Sequence, residues 1–296
     1  MIKKGTIYIL FFAIVILAFA NNLSGYNYEG VNVTSKVNVT NAFPAISKVT
    51  MGTSIDLAAG ANKSVKCNVT VYDYNGYQDI KSVNATIWHN LTSAMNETDN
   101  VSNHYTNVSC TNISQSGYYA NYTCSFDVVY YAYNGTWVCN ASVIDNSNFT
   151  GYLFNTSTVN PLYALNVSSV VDYGDMILGE TSNNITANIT NFGNLPINVS
   201  VRGFGGNNSV TGANYAMLCQ SGNITIGNQR FSTDPNADWS SKTQLSSNLQ
   251  NMTNMTIPVY AGATNWNATY WQLYVDPTNN PWGLCTGTIE FTAIAG

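Results

Sequence analysis

The stretch KSVKCNVTVYDY, beginning at Lys63, alternates apolar and polar side chains with a period of two, which sends Val65, Cys67, Val69 and Val71 to one face of an extended chain. A helix would scatter these four residues around its surface; a strand collects them. The same period places Tyr118, Ala120, Tyr122, Cys124, Phe126, Val128 and Tyr130 together in YYANYTCSFDVVYYA, and Trp137, Cys139, Ala141 and Val143 together in GTWVCNASVID. Turn-forming Asn, Gly and Ser interrupt such runs about every ten residues, and no useful helical period follows residue 30. The expectation is an all-β chain of antiparallel β-sandwiches. Residues 21 to 296 exceed what one sandwich usually needs. Pro161 in STVNPLYALNVSS interrupts the pattern before a new strand expected from Leu165 to Val171, so the chain divides into domains at 21–162 and 163–296.

Strands of this kind show Asn, Ser and Thr to water, and the arrangement of those residues is not random. With 43 Asn, 26 Ser and 31 Thr, Asn-x-Ser/Thr occurs 25 times, never with Pro in the middle. Chance placement would give about 8. Alternation alone raises the number, but it does not distinguish a hydroxyl from a second Asn two places on. It would give roughly 19 Asn-x-Asn, whereas the sequence has two, at Asn146 and Asn265. The hydroxyl is selected, as N-glycosylation requires. Candidate acceptors on or beside expected strands are Asn32, Asn38, Asn68, Asn84, Asn121, Asn140, Asn184, Asn188, Asn198, Asn223, Asn254 and Asn267.

The N-terminus agrees with export. Lys3 and Lys4 precede the apolar run TIYILFFAIVILAFA, which ends on Ala18-Phe19-Ala20. This reads as a signal peptide at residues 1–20 cut after Ala20. The alternatives are a prepilin-like cut before Thr6, which would keep the run as a short apolar helix, and an uncleaved anchor. Membrane contact is expected only through this segment if it is retained.

Six cysteines, an even number in an exported chain, read as three disulfides. Cys67 and Cys139 face inward on long apolar strands, and Cys110 and Cys124 flank a short loop, which selects Cys67 with Cys139 and Cys110 with Cys124. Cys219 and Cys285 remain for each other. Zinc is disfavoured by the lack of Cys-x-x-Cys spacing.

VKCNVTVYDYNGYQDIKSVNATIWHN and YTCSFDVVYYAYNGTWVCNASVIDNSNFTG resemble the Ig-like domains of archaeal secreted cell-surface proteins. The second half, VDYGDMILGETSNNITANITNFGNLPINVSV with GTIEFTAIAG, is similar to a second Ig-like sandwich type of envelope proteins, with an Asn-x-Gly-Asn hairpin near its start. The resemblance implies two tandem Ig-like domains at the cell surface, and it implies no activity.

Charged residues are 8 % of the chain and the net charge is -5, with only 10 scattered Lys and Arg, so a nucleic-acid partner is not expected. No nucleophile, zinc-hydrolase or phosphate-loop motif is present. Both histidines lie in polar segments, IWHNLT and SNHYTN, that read as solvent-facing, and the expectation is a protein without catalytic residues or an obligatory cofactor. Two weaker patterns stand out. Asp73, Asn75 and Asp79 in YDYNGYQDI have oxygen ligands suited to Ca²⁺, against the plainer reading of an Asx turn. Trp266, Tyr270, Tyr274 and Trp282 have the makings of a sugar-stacking platform, whereas Trp271, Leu273 and Val275 have the parity of core residues. The leading expectation is a secreted, N-glycosylated structural or adhesion protein whose partners are envelope proteins, glycans or its own copies. A pilin-like filament subunit and a carbohydrate-binding module are the alternatives.

Overall fold

A computed structural model of the chain describes residues 30–262 and 265–296; the expected signal peptide, its cleavage after Ala20 and the retained-helix alternative fall outside the described residues. Asn41–Gly296 packs as one compact unit, distinct from the chain before it, of which residues 30–40 are described. These carry no strand and leave Val31, Val33, Val37 and Val39 exposed.

The compact unit contains two sandwiches. The first uses β1 (Ala45–Thr50), β2 (Ser54–Ile55), β3 (Lys63–Tyr72), β4 (Ile80–His89), β5 (His104–Asn107), β6 (Thr111–Ser116), β7 (Tyr119–Val128), β8 (Gly135–Asp145) and β9 (Thr150–Val159). One sheet has the order β1, β3, β7, β6 and the other β2, β9, β8, β4, β5. Only β2 runs parallel to its neighbour, β9. The second sandwich uses β10 (Leu165–Val167), β11 (Ile185–Asn191), β12 (Ile197–Gly205), β13 (Tyr215–Ser221), β14 (Asn223–Thr225), β15 (Gln229–Ser232), β16 (Thr243–Gln244), β17 (Gln250–Ile257), β18 (Trp266–Leu273) and β19 (Trp282–Ala295). Its sheets have the orders β10, β11, β18, β15, β16 and β14, β13, β19, β12, β17.

Alternation explains which side chains meet. Val65, Cys67, Val69 and Val71 of β3 and Trp137, Cys139, Ala141 and Val143 of β8 are buried between the first two sheets. On β7, Ala120, Cys124, Phe126 and Val128 are buried, whereas Tyr118 and Tyr130 lie beyond the ends of the strand. A second core gathers Ile189, Val199, Met255 and Ile257 around Trp271, whose indole N–H donates to Thr269 Oγ1 at 2.8 Å. The strand expected at Leu165 to Val171 pairs only as far as Val167. At Ser168 the hydroxyl accepts the Asn188 N–H and the chain leaves the sheet.

Three disulfides brace these sheets. Cys67–Cys139 crosses from β3 to β8, Cys110–Cys124 ties the start of β6 to β7, and Cys219–Cys285 joins β13 to β19 within one sheet. Cys67 and Cys124 stand directly opposite each other in the β3–β7 register, so the first two bridges lie side by side. In the chain-entropy account the bridge closing the longest loop contributes on the order of 4 kcal/mol.

The sandwiches meet at the hairpin Asn191-Phe-Gly-Asn194. Phe192 N–H donates to Ala164 O, Asn194 N–H to Leu162 O, and Gly60 N–H to Phe192 O. Asn194 Oδ1 accepts the Leu162 N–H at 2.7 Å, and Phe192 packs on Tyr130. The buried Asn191 amide donates to Leu195 O and Pro258 O, holding the hairpin from behind.

Candidate cation site

Beyond the Cys67–Cys139 bridge the parity of β3 and β8 holds for six residues, to Asp73 just past the end of β3 and to Asp145 at the end of β8, and brings both side chains to one end of the sandwich interior. Both are 0 % exposed. A short 3-10 turn, Tyr77–Asp79, brings in Asp79 from the same end. One carboxylate oxygen from each of the three lies within 4.8 Å of the others.

Hydrogen bonds fix the carboxylates of Asp73 and Asp145 and the backbone of Asp79. Asp73 Oδ1 accepts the Asn75 N–H at 2.8 Å. Asp145 Oδ1 accepts the Phe149 N–H at 2.8 Å and Oδ2 accepts Asn41 Nδ2 at 2.7 Å. The Asp79 carbonyl takes the Asn146 N–H. Oδ2 of Asp73 and Oδ2 of Asp79 are buried with no partner. Among the described residues the ion pairs are His104–Asp99 and Arg202–Glu290, and neither reaches this cluster. Burial raises the Asp73 carboxyl above its ordinary value, opposed by the Asn75 N–H and reinforced by the charges of Asp79 and Asp145. To the expected acidic ligands, Asp73 and Asp79, the structure adds one more. Asn75 Oδ1 is engaged by the Ala42 N–H at 2.8 Å, and Asp145, which the local spacing of YDYNGYQDI does not contain, stands as the third carboxylate.

The asparagine motifs divide into two structural groups. On paired strands they face one another head to tail: Thr123 Oγ1 donates to Asn68 Oδ1 and Thr70 Oγ1 to Asn121 Oδ1, each at 2.8 Å. Ser142 with Asn84, Thr256 with Asn198 and Ser200 with Asn251 repeat the contact. Asn140 lies opposite Thr86 in the same β4–β8 ladder. Asn184, Asn188 and Asn254 are exposed, and Asn223 and Asn267 are half-buried. Asn32, Asn38, Asn62, Asn90, Asn96 and Asn207 lie outside strands and are exposed.

The four platform aromatics do not share one strand. Trp266 and Tyr270 lie on β18, Tyr274 follows it and packs on Trp239, and Trp282 belongs to the other sheet, opposite Ser221. Trp282 lines a cleft of about 1000 Å³ with Tyr173, Met176 and Leu284. Trp271, Leu273 and Val275 are buried.

The histidines correct the reading of their segments as solvent-facing. His89 is 5 % and His104 1 % exposed. His89 ends β4 on the parity of Val83, Ala85 and Ile87, with Nδ1 2.9 Å from Thr92 Oγ1 and its ring against Tyr133 and Trp137. His104 Nδ1 lies 3.0 Å from Asp99 Oδ1.

No family model and no curated protein matches the chain. Among solved structures it is similar to the CsuC–CsuE chaperone–tip adhesion subunit complex of Acinetobacter baumannii Csu pili, with 11 % identity, 83 % of this chain and 99 % of that one covered, and a TM-score of 0.40. A carbohydrate-binding module of the β-sandwich superfamily gives 13 % identity over 87 % and 99 % of the two chains, TM-score 0.26. The C-terminal domain of Streptococcus agalactiae BspA gives 14 % over 85 % and 90 %, TM-score 0.23. Superpositions this loose carry no functional information.

Proposed function

We propose that the chain is an extracellular, N-glycosylated envelope protein of structural or adhesive role, acting through the surfaces its two sandwiches present and without bond chemistry. Three disulfides support an oxidising compartment. The observation that carries the glycan reading is where the motif asparagines fall. None of the 24 among the described residues is buried, whereas the buried asparagines, Asn191, Asn194 and Asn265, all lack a hydroxyl residue two places on. On strands a second cause competes, because a cross-strand hydroxyl satisfies the Asn amide whether or not a sugar is attached. In the loops at Asn96 and Asn207 neither strand pairing nor a hydrogen bond among the described residues asks for the hydroxyl of Thr98 or Ser209, so acceptance of a glycan is the reason that remains. An archaeal envelope fits the density of these motifs and the Ig-like resemblance.

Peptide mapping of the protein from its native host tests this. Hexose-bearing peptides containing Asn62, Asn90, Asn96 or Asn207 are expected, together with a mature start at Asn21. Unmodified asparagine at all four loop positions would refute the glycan reading, and a start at Thr6 would favour the filament subunit.

A further inference from the structure

Asp73, Asp79 and Asp145 bring three carboxylates to one point, and among the described residues no basic side chain forms an ion pair with any of them. A desolvated carboxylate oxygen without a partner is costly, and here there are two, Asp73 Oδ2 and Asp79 Oδ2. Asp73 is fully buried, and its other oxygen is taken by the Asn75 N–H. One oxygen of this carboxylate lies within 4.8 Å of an oxygen of Asp79 and of Asp145. We propose that this cluster binds one Ca²⁺ per chain through Asp73, Asp79 and Asp145, with water filling the remaining positions.

The donor chemistry selects the ion. All three ligands are hard, anionic oxygens, which suit Ca²⁺ and not a thiolate- or imidazole-seeking metal. Opposite oxygens around Ca²⁺ are about 4.6–5.2 Å apart, and the three oxygens here lie within 4.8 Å of one another. The site is assembled before the ion arrives. The Phe149 N–H and Asn41 hold Asp145, and the β8–β9 turn holds the Asp79 backbone through Asn146. An ion there would tie three segments together: the β3–β4 loop, the β8–β9 turn and the entry of the chain at Asn41, whose neighbour Ala42 is bound to Asn75.

The test is calcium titration of the full, chelator-treated chain by calorimetry, with melting curves in EGTA, Ca²⁺ and Mg²⁺. One binding event per chain is expected, with a midpoint that climbs with Ca²⁺ concentration up to the millimolar range. Asp73→Asn and Asp145→Asn should weaken binding at least tenfold. In EGTA Asp73→Asn should melt no lower than the parent chain, because it removes a like charge from the cluster while its amide oxygen can still accept the Asn75 N–H; a merely structural role would lower the midpoint in EGTA as well. Absence of heat and of any midpoint change at about 10 mM Ca²⁺, above the range of weak extracellular sites, overturns the proposal. So does an equal response to Mg²⁺, or an unchanged calcium response in Asp73→Asn.

Discussion

Thr123 and Thr70 each complete the amide of the motif on the neighbouring strand, so on this pair of strands the hydroxyl has a structural role that is independent of any sugar. In chain made without glycans, Thr123→Val should therefore cost about 1 kcal/mol in urea unfolding. Thr98→Val, in a loop, should cost nothing measurable while removing the Asn96 motif; equal effects at the two sites would dismiss the structural role. His89 offers a second residue-scale test. Its pKa is lowered from the ordinary 6.5 because burial disfavours the charged ring, partly opposed by the Asn134 backbone. The unfolded chain then binds the proton more readily than the fold, so the stability this residue contributes is present above about pH 6.5 and is lost as pH falls. The melting midpoint is expected to drop between pH 7 and 5.5, and His89→Gln should flatten that slope. An identical slope in both proteins would assign the effect to other groups. The sequence held the signal for His89 in the parity of Val83, Ala85 and Ile87; judging IWHNLT by its polarity hid it.

At the scale of elements, alternation was enough to assign the inner faces of β3 and β8, because a period of two is a property of each strand by itself. It also contained Asp145, six residues past Cys139 as Asp73 is past Cys67, although that pairing emerges only when two distant strands are compared. Asp79 was legible as an acidic residue and not as a neighbour of Asp145, since a 3-10 turn has no parity to follow. The hairpin Asn191–Asn194 was visible as a motif, but its role was not, because what it grips lies some thirty residues earlier. A Cβ on Gly193 would stand 2.0 Å from Leu162 O and 3.1 Å from Ala164 N. Gly193→Ala should push the linker off the hairpin and cost about 2 kcal/mol, read as a lower midpoint in chemical denaturation. Parent-like unfolding would mean that the hairpin is not the joint.

For the whole molecule, the question is what keeps so weakly charged a surface from associating. The four sheets have eight edge strands, and five of them, β5, β6, β10, β14 and β17, carry a motif asparagine, at Asn107, Asn112, Asn166, Asn223 and Asn251 with Asn254. Every residue of β6 is exposed, and β9 shows Tyr152 and Phe154 to solvent. Glycans on those edges would block the strand pairing that other proteins discourage with charge. Chain with its disulfides formed but no glycans is expected to fold and then self-associate in sedimentation; a stable monomer would make the sugars dispensable for solubility.

The placement of the bridges also sets how the molecule carries load. Tension applied at the two ends bypasses whatever chain a covalent link encloses, and Cys67–Cys139 and Cys219–Cys285 enclose separations of 72 and 66 residues. Fully extended, residues 41–296 would reach about 900 Å with the thiols reduced, but only about 400 Å with the links intact. Under shear the protein therefore behaves as a short tether with two inextensible segments, and single-molecule pulling before and after reduction would measure the hidden length directly.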